Sequence, residues 1–530
     1  MSLSLKIKLA QISSRLGDID FNSNKIIEIS HKAYQEKNDC LVFPELFLTG
    51  YPPEDLLLRQ SFIQDIENAT KKIITHCANI PIIFGSVLQE NNTLFNVAIL
   101  IQDKNIKIYK KQYLPNYGVF DEKRYFSSGN KPLIFELKNT KIGVVICEDI
   151  WHKQPIKQTS NEGAEIIISI HSSPFEIDKH KQRLNIIKQR ALENKIPIIY
   201  LNNIGGQDEL LFDGGSFMVN HFGKQTHQLT FHNEEIKTIN TEVLTSINIP
   251  QNKELIYQSL VLATKDYIKN NNFKTALLGL SGGIDSALTL AIVNDAIGAE
   301  NINTVMMHSP YTAKISLDAA KEQADIMQIK HQIIDIKPIM ESFSDTLKPF
   351  FHSLKEDTTE ENIQARIRGT LLMALSNKIG SIVITTGNKS EMAVGYSTLY
   401  GDMVGGFAPL KDVPKTLVYQ LAKYRNTISK IIPEIVITRP PSAELKENQT
   451  DQDSLPEYEI LDEILFLLIE KRKSSSQIIQ YGFKEEDVNK ITNLVKQNEY
   501  KRQQSTIGVK ITSNSFGKER RYPITNSFKC

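Results

Sequence analysis

The decapeptide Leu-Leu-Gly-Leu-Ser-Gly-Gly-Ile-Asp-Ser at 277–286 constrains this chain more than any other stretch. An apolar strand enters a glycine-rich turn, and a helix leaves it. Backbone N–H groups at such a helix start bind phosphate oxygens, with the helix dipole favouring the negative charge. Gly282 and Gly283 let the backbone approach closely. Ser281 and Ser286 offer hydroxyls, and Asp285 is placed to hold Mg²⁺. A lone Gly-Gly pair is more simply a tight turn whose Ser or Asp caps the helix. The full S-G-G-I-D-S after an apolar strand points instead to a nucleotide phosphate site. No Lys precedes Ser286, so the Walker pattern is absent, which argues against γ-phosphoryl transfer in the usual P-loop style.

The surroundings fit such a loop. From Lys274 onward, segments alternate: strand 275–280, helix 285–297, strand 303–307, helix 317–327, strand 331–336, helix 363–379 and strand 381–385. This rhythm predicts a doubly wound parallel sheet. Thr386 and Glu391 follow the last of these strands in T-T-G-N-K-S-E. Parallel strands end on one edge, so both residues are expected in the crevice with Asp285. Asp285 and Glu391 are then a reasonable oxygen-ligand pair for Mg²⁺. The stretches 395–406 and 447–455 read as mobile loops.

The first 230 residues differ. Short Ile- and Val-rich runs at 6–11, 40–43, 81–84, 96–101, 142–146, 165–170 and 197–201 read as buried strands, with amphipathic segments at 23–37 and 179–194 between them. Layered α/β with helices covering the sheets is expected. The pattern weakens over 223–252. Of 530 residues, 1–245 and 246–530 are therefore expected to form two large domains. No internal repeat is evident.

The 62 Lys and Arg nearly balance the 61 Asp and Glu, which argues against a general nucleic-acid or membrane-surface binder. No apolar run of about 18 residues predicts a membrane span, and the lysines within the first ten residues suit a strand rather than a signal peptide. Cys40, Cys77, Cys147 and Cys530 lack C-x-x-C spacing, so neither a zinc site nor a disulfide framework is expected, and a reducing cytoplasm is the simplest location.

Cys147 is singled out by its company. It ends the apolar run 142–146, Glu45 follows a strand ending at Pro44, and Lys111 follows the strand 106–110. A Cys at a strand-to-helix turn gains thiolate character, a carboxylate takes a thiol proton, and a cation holds the thiolate and a developing oxyanion. Each residue alone has a bland reading as a core thiol or a surface charge; three strand ends together favour a catalytic triad.

P-E-L-F-L-T-G-Y at 44–51, K-Q-Y-L-P at 111–115 and C-E-D-I-W at 147–151 resemble the nitrilase/amidase superfamily, whose members work with a Glu-Lys-Cys triad. Glu122 matches a further carboxylate of that superfamily, and the stretches 202–209 and 212–216 resemble its glutaminase branch. The 277–286 turn resembles the pyrophosphatase loop of enzymes that split ATP into AMP and pyrophosphate. Both halves in this order, with P-P-S-A-E-L at 440–445 and R-R-Y-P-I at 520–524, resemble the glutamine-dependent NAD synthetase family over nearly the whole chain.

The resemblance implies an N-terminal α-β-β-α sandwich followed by a Rossmann-like ATP pyrophosphatase domain. It implies that deamido-NAD, ATP and glutamine become NAD, AMP, pyrophosphate and glutamate, with Mg²⁺. It assigns Glu45, Lys111 and Cys147 to amide hydrolysis, and Tyr117, Ser173 and Lys179 to glutamine. Gly279, Leu280, Ser281, Gly282, Gly283, Ile284, Asp285, Ser286 and Thr386 are assigned to ATP, and Asn362, Glu391 and Lys501 to deamido-NAD. Lys179, Asn362 and Lys501 read equally well as surface or helix-decorating residues. A protected ammonia path and a homo-oligomer formed through the synthetase domain are further expectations. Two other readings stay open: an amidase carrying a nucleotide-binding regulatory module, and a glutamine-dependent adenylating ligase acting on another acceptor.

Overall fold

A computed structural model describes residues 4–351, 354–446, 449–453 and 455–526. The chain divides into two compact units, Met1–Gln207 with Leu211–Pro250 and Asp208–Leu210 with Gln251–Cys530. Cys530 and parts of the 447–455 stretch lie outside the described residues; within that stretch, Asp451–Asp453 forms a single 3₁₀ turn.

In the first unit, β1 (Lys6–Gln11), β2 (Cys40–Val42), β3 (Ile82–Glu90), β4 (Thr93–Gln102) and β5 (Asn105–Lys110) belong to one sheet. A second sheet contains β6 (Leu133–Leu137), β7 (Thr140–Ile146), β8 (Ile166–His171) and β9 (Ile198–Asn202). The hairpin β10 (Ile204–Gln207) and β11 (Leu210–Asp213) follows. Then β12 (Phe217–Val219) and β13 (Gln225–Gln228) extend the second sheet, and β14 (Glu235–Asn240) returns to the first. The orders are β14-β1-β2-β3-β4-β5 and β13-β12-β9-β8-β7-β6, with parallel centres (β1-β2-β3 and β7-β8-β9) and antiparallel edges.

One core cluster joins the facing sheets: Leu9, Val42, Ile83 and Leu100 of the first with Val144, Ile168 and Ile199 of the second. Helices α1 (Ile19–Gln35) and α2 (Gln60–His76) pack on the first sheet; α3 (Lys153–Asn161) and α4 (Lys179–Asn194) cover the second. The result is an α-β-β-α sandwich. Strands buried on both faces explain the continuous Ile and Val runs. The weakly patterned stretch 223–252 holds two strands, β13 and β14. On edge strand β14, only Ile239 is buried, so little apolar signal is required of it.

The second unit opens with α5 (Asn252–Asn270). A four-stranded parallel sheet follows: β15 (Ala276–Gly279), β16 (Ile302–His308), β17 (Lys330–Asp335) and β18 (Ile382–Ile384), in the order β17-β16-β15-β18. The chain winds one way from β15 and then crosses back to place β18 on the other side. This makes a switch point beside β15, where a crevice opens at the carboxyl ends of strands. Its helices include α6 (Ile284–Ile297), α7 (Lys314–Ile326), α8 (Lys337–Phe351), α9 (Thr358–Ile379), α10 (Lys389–Val394) and α11 (Lys415–Ile428). A separate apolar cluster joins α10 to the helices Tyr458–Leu465 and Glu485–Gln497. No described helix is long and apolar enough to cross a membrane.

Candidate active sites in the two units

In the first unit, Glu45, Lys111 and Cys147 follow β2, β5 and β7. Glu45 is fully buried. Its Oε1 accepts from Lys111 Nζ at 2.7 Å and Asn96 Nδ2 at 2.8 Å, and its Oε2 accepts the Ser172 amide at 2.9 Å. Lys111 also donates to both oxygens of Glu122, at 2.8 and 2.9 Å, and Tyr51 donates to Glu122 at 3.2 Å. One buried ammonium thus holds two buried carboxylates. Removing either partner of such a pair costs about 3–5 kcal/mol, because the other charge is left unpaired in the interior. At Gly85, a Cβ would lie 2.0 Å from the Leu46 amide, so β3 can press against the Glu45 segment only as glycine.

Cys147 is 5 % exposed and begins the 3₁₀ turn Cys147–Trp151 with φ +42°. A non-glycine residue in that region stores strain and must be held there by its surroundings. Burial, then the Glu45 charge, push its thiol well above the usual range, while Lys111 pulls it down. Burial thus opposes the thiolate character expected of a strand-to-helix turn. The expected outcome is that iodoacetamide alkylates Cys147 more slowly than a free cysteine at pH 7–8, with a rate still rising through roughly pH 9, because thiolate formation lies above the ordinary pKa. Peptide-resolved mass spectrometry checks this; a plateau near pH 7 would refute it.

Two of the three residues assigned to glutamine touch this turn. Tyr117 donates to Glu148 Oε2 at 2.9 Å, and the Lys179 ammonium lies 5.1 Å from the Trp151 ring centre. Ser173 follows β8, takes Arg183 Nε on its hydroxyl at 3.1 Å and gives its amide to Asn202 at 3.0 Å. Arg183, buried and paired with Asp213 at 2.7 Å, also donates to the carbonyls of Ser173 and Pro174. Asn96, Ser172 and Arg183 were not anticipated. The spacing of Arg183 one helical turn before Ile187 on α4 was the one available signal.

In the second unit, a cavity of about 310 Å³ opens at the switch point. The 279–286 turn lines it, Gly282 apart, together with Thr386 and Glu391. Gly282 has φ +76°, and a Cβ there would meet the Ser316 carbonyl at 2.3 Å. Gly283, which has no side chain to cap with, stands at the N-cap of α6. The hydroxyls of Ser281 and Ser286 are 3.0 Å apart, and Ser286 also donates to the Gly283 carbonyl at 3.0 Å, closing the turn.

Asp285 and Glu391 do converge, and Lys415 stands between them, with Nζ 2.5 Å from Asp285 and 3.1 Å from Glu391. Asn388 donates to Asp285 at 2.9 Å and caps α10 by accepting the Glu391 amide at 3.0 Å. Burial, opposed by Lys415 and reinforced by Asp285, pushes Glu391 up to about 7. Asp451 adds a third carboxylate to the field at Lys415. The donor set is oxygen only, and its negative charge exceeds that of one ammonium, which fits a hard dication. Among the described residues, no group of three potential ligands forms a ready-made cage. Mg²⁺ is commonly held by one or two carboxylates with substrate phosphates completing its shell.

Arg368 and Arg439 also line the cavity. Neither they nor Lys415 were anticipated. A lysine in the first turn of a helix opposes the dipole, and that was the signal Lys415 carried. Asn362 and Lys501 do not line the cavity. They bracket the turn beside it, Asn362 accepting the Thr398 hydroxyl at 2.7 Å and Lys501 donating to the Gly395 and Ser397 carbonyls, each at 2.8 Å. Ser397 forms part of the wall.

The comparisons match both halves. The carbon-nitrogen hydrolase family matches residues 6–246 and the NAD synthase family residues 256–505. The chain is 49% identical to the glutamine-dependent NAD(+) synthetase of Acinetobacter baylyi over 99% of both chains, and 42% identical to that of Aquifex aeolicus over 99% of this chain and all of the other. The chain belongs to the glutamine-dependent NAD(+) synthetase family. Among solved structures, the family member from Acinetobacter baumannii, in complex with ADP, is similar with a TM-score of 0.80, 46% identity and 98% coverage of each chain. The member from Cytophaga hutchinsonii shares the fold at a TM-score of 0.87 and 21% identity, over 99% of this chain and 98% of that one.

Proposed function

We propose that this chain amidates deamido-NAD to NAD, drawing ammonia from glutamine in the first unit and activating the acceptor with ATP in the second. The observation that carries the reading is the pairing, in one family member, of a buried Glu45–Lys111–Cys147 set with a phosphate turn whose Asp285 meets Lys415 and Glu391.

Cys147 Sγ attacks the glutamine side-chain carbonyl as Glu45 takes the thiol proton. Lys111 offsets the developing negative charge, ammonia leaves with a returned proton, and water hydrolyses the thioester to glutamate. Tyr117, Ser173 and Lys179 hold the glutamine. In the second unit the 279–286 turn and Thr386 hold ATP; Asn362, Glu391 and Lys501 serve deamido-NAD. The nicotinate carboxylate attacks the α-phosphate, pyrophosphate leaves, and ammonia then displaces AMP from the adenylate. Mg²⁺ held by Asp285 and Glu391 would neutralise phosphate charge. Lys415 and the helix start hold the phosphate chain in line. Ammonia must arrive unprotonated, so a protected path remains part of this reading.

NAD formation from deamido-NAD and ATP, with glutamine or ammonium as the nitrogen source, tests the proposal. NAD from both donors supports it. ATP turnover without NAD points to another acceptor, and glutamine hydrolysis without ATP turnover points to a regulatory module.

The reading includes a homo-oligomer through the second unit. Helix α8 has no buried residue in the single chain, and Phe343, Phe350, Ile333 and Ile379 are exposed in that part of the unit. A second copy covering them would remove apolar surface from water at about 25 cal/mol per Å². Analytical ultracentrifugation should give a mass above one chain, and Phe350→Lys should lower it. The free thiols Cys40, Cys77 and Cys147 suit a reducing cytoplasm.

A further inference from the structure

We propose that Asp149 is the positioning residue that holds Lys111 and Cys147 in reacting register. The inference rests on the triad reading above. Asp149 is fully buried, and four donors converge on its carboxylate. Oδ1 accepts the amides of Gln112 at 3.0 Å and Tyr113 at 2.8 Å; Oδ2 accepts the Tyr109 hydroxyl at 2.9 Å and the Ile146 amide at 3.1 Å.

The location of those donors decides the role. Tyr109 and Gln112 flank Lys111 on both sides. Ile146 immediately precedes Cys147, and Asp149 lies two residues beyond it. Lys111 comes from the end of β5 in one sheet and Cys147 from the end of β7 in the other. One carboxylate therefore ties the two chain ends that bring ammonium and sulfur together across the sandwich. It also closes the turn that keeps Cys147 at φ +42°. Charged acceptors make the stronger hydrogen bonds, and a site error of about 1 Å costs roughly 100-fold in rate.

The role is specific to a carboxylate. Both oxygens accept two donors each, so an amide in its place would turn an N–H₂ group toward two donors whichever way it lay. Burial pushes the Asp149 carboxyl up to about 6, while the Tyr113 amide and Lys111 oppose that shift. Asp149 acts through the backbone on either side of the reacting groups.

The test uses the full chain, whose ammonium-driven reaction reports intact folding. In Asp149→Asn, glutamine-driven kcat should fall roughly 100-fold, with glutamine KM moving less than about threefold. Ammonium-driven NAD formation should be unchanged. Site-resolved alkylation by iodoacetamide should shift at Cys147 and stay constant at Cys77. Tyr109→Phe, which removes one of the four donors, should show the same split at about tenfold. An unchanged glutamine kcat overturns the proposal, and so does equal loss of both activities in both variants. Cys147→Ala in the same series reports on the triad separately. Retained glutamine-driven turnover there removes the triad itself; its loss beside an unaffected Asp149→Asn removes only the positioning role.

Discussion

Cys147→Ala leaves glutamine-driven NAD formation at background while ammonium-driven formation continues. The expected loss is on the order of 10⁴-fold or more, the scale on which removal of a covalent nucleophile is felt when its partners act only through it. The geometry explains why no neighbour substitutes. Glu45 and Lys111 are held by each other, by Asn96 and Ser172, and by Glu122, so neither is free to stand in for the sulfur. Cys40 is also buried, and burial and Asp39 push its thiol up without a paired ammonium among the causes. Alanine removes one sulfur from a core that retains its ion pairs, so the stability cost is small beside the loss of activity. The check is paired initial rates with the two nitrogen donors on the same preparation. Equal loss of both rates in folded protein would falsify the assignment of separate chemistries to the two units.

Asp285→Ala is expected to lose both reactions together, by about 10² to 10³-fold, the size seen when one preorganised electrostatic group is removed. Lys415 is buried and shared between Asp285 and Glu391, and Asp285 leads the interactions that raise its pKa above the ordinary lysine range. Deleting Asp285 leaves that ammonium with Glu391 alone. It frees Asn388 from a bond that ties α10 to the phosphate turn, and removes one of the two carboxylates proposed for Mg²⁺. Isothermal titration with Mn²⁺ in the presence of a non-hydrolysable ATP analogue separates the effects. Weaker metal binding with intact nucleotide binding supports the metal assignment; an unchanged metal isotherm removes it.

Periodicity and punctuation made most of the scaffold legible. The strands of both sheet centres lie close to their expected ranges, because a strand buried on both faces must be apolar throughout and a loop must break that run. Edge strands were uneven: β5, β17 and β18 lie where they were expected, and β14 does not. Strand β14 buries only Ile239, so its pairing with β1 leaves little hydrophobic trace. The two sites were legible where chemistry sits at a strand end in a rare residue type, as with Cys147, or in a backbone requirement, as with Gly282. They were not legible where the partner is an ordinary polar residue recruited from afar. Lys415 is 130 residues from Asp285, and nothing local to Asp149 in C-E-D-I-W shows which amides reach it.

The sequence by itself determined the kind of chemistry: a thiol, a carboxylate and an ammonium at three strand ends, and a glycine turn that only a strand and a helix can flank. These are local requirements of backbone conformation and functional group, and they survive in one dimension. Tertiary structure decided how each group is tuned. Packing buries Cys147 and raises its thiol pKa, sets Lys415 between two carboxylates, and turns Asp149 into the tie between two sheets. Desolvation and long-range pairing depend on which segments pack together, and residue order alone carries neither.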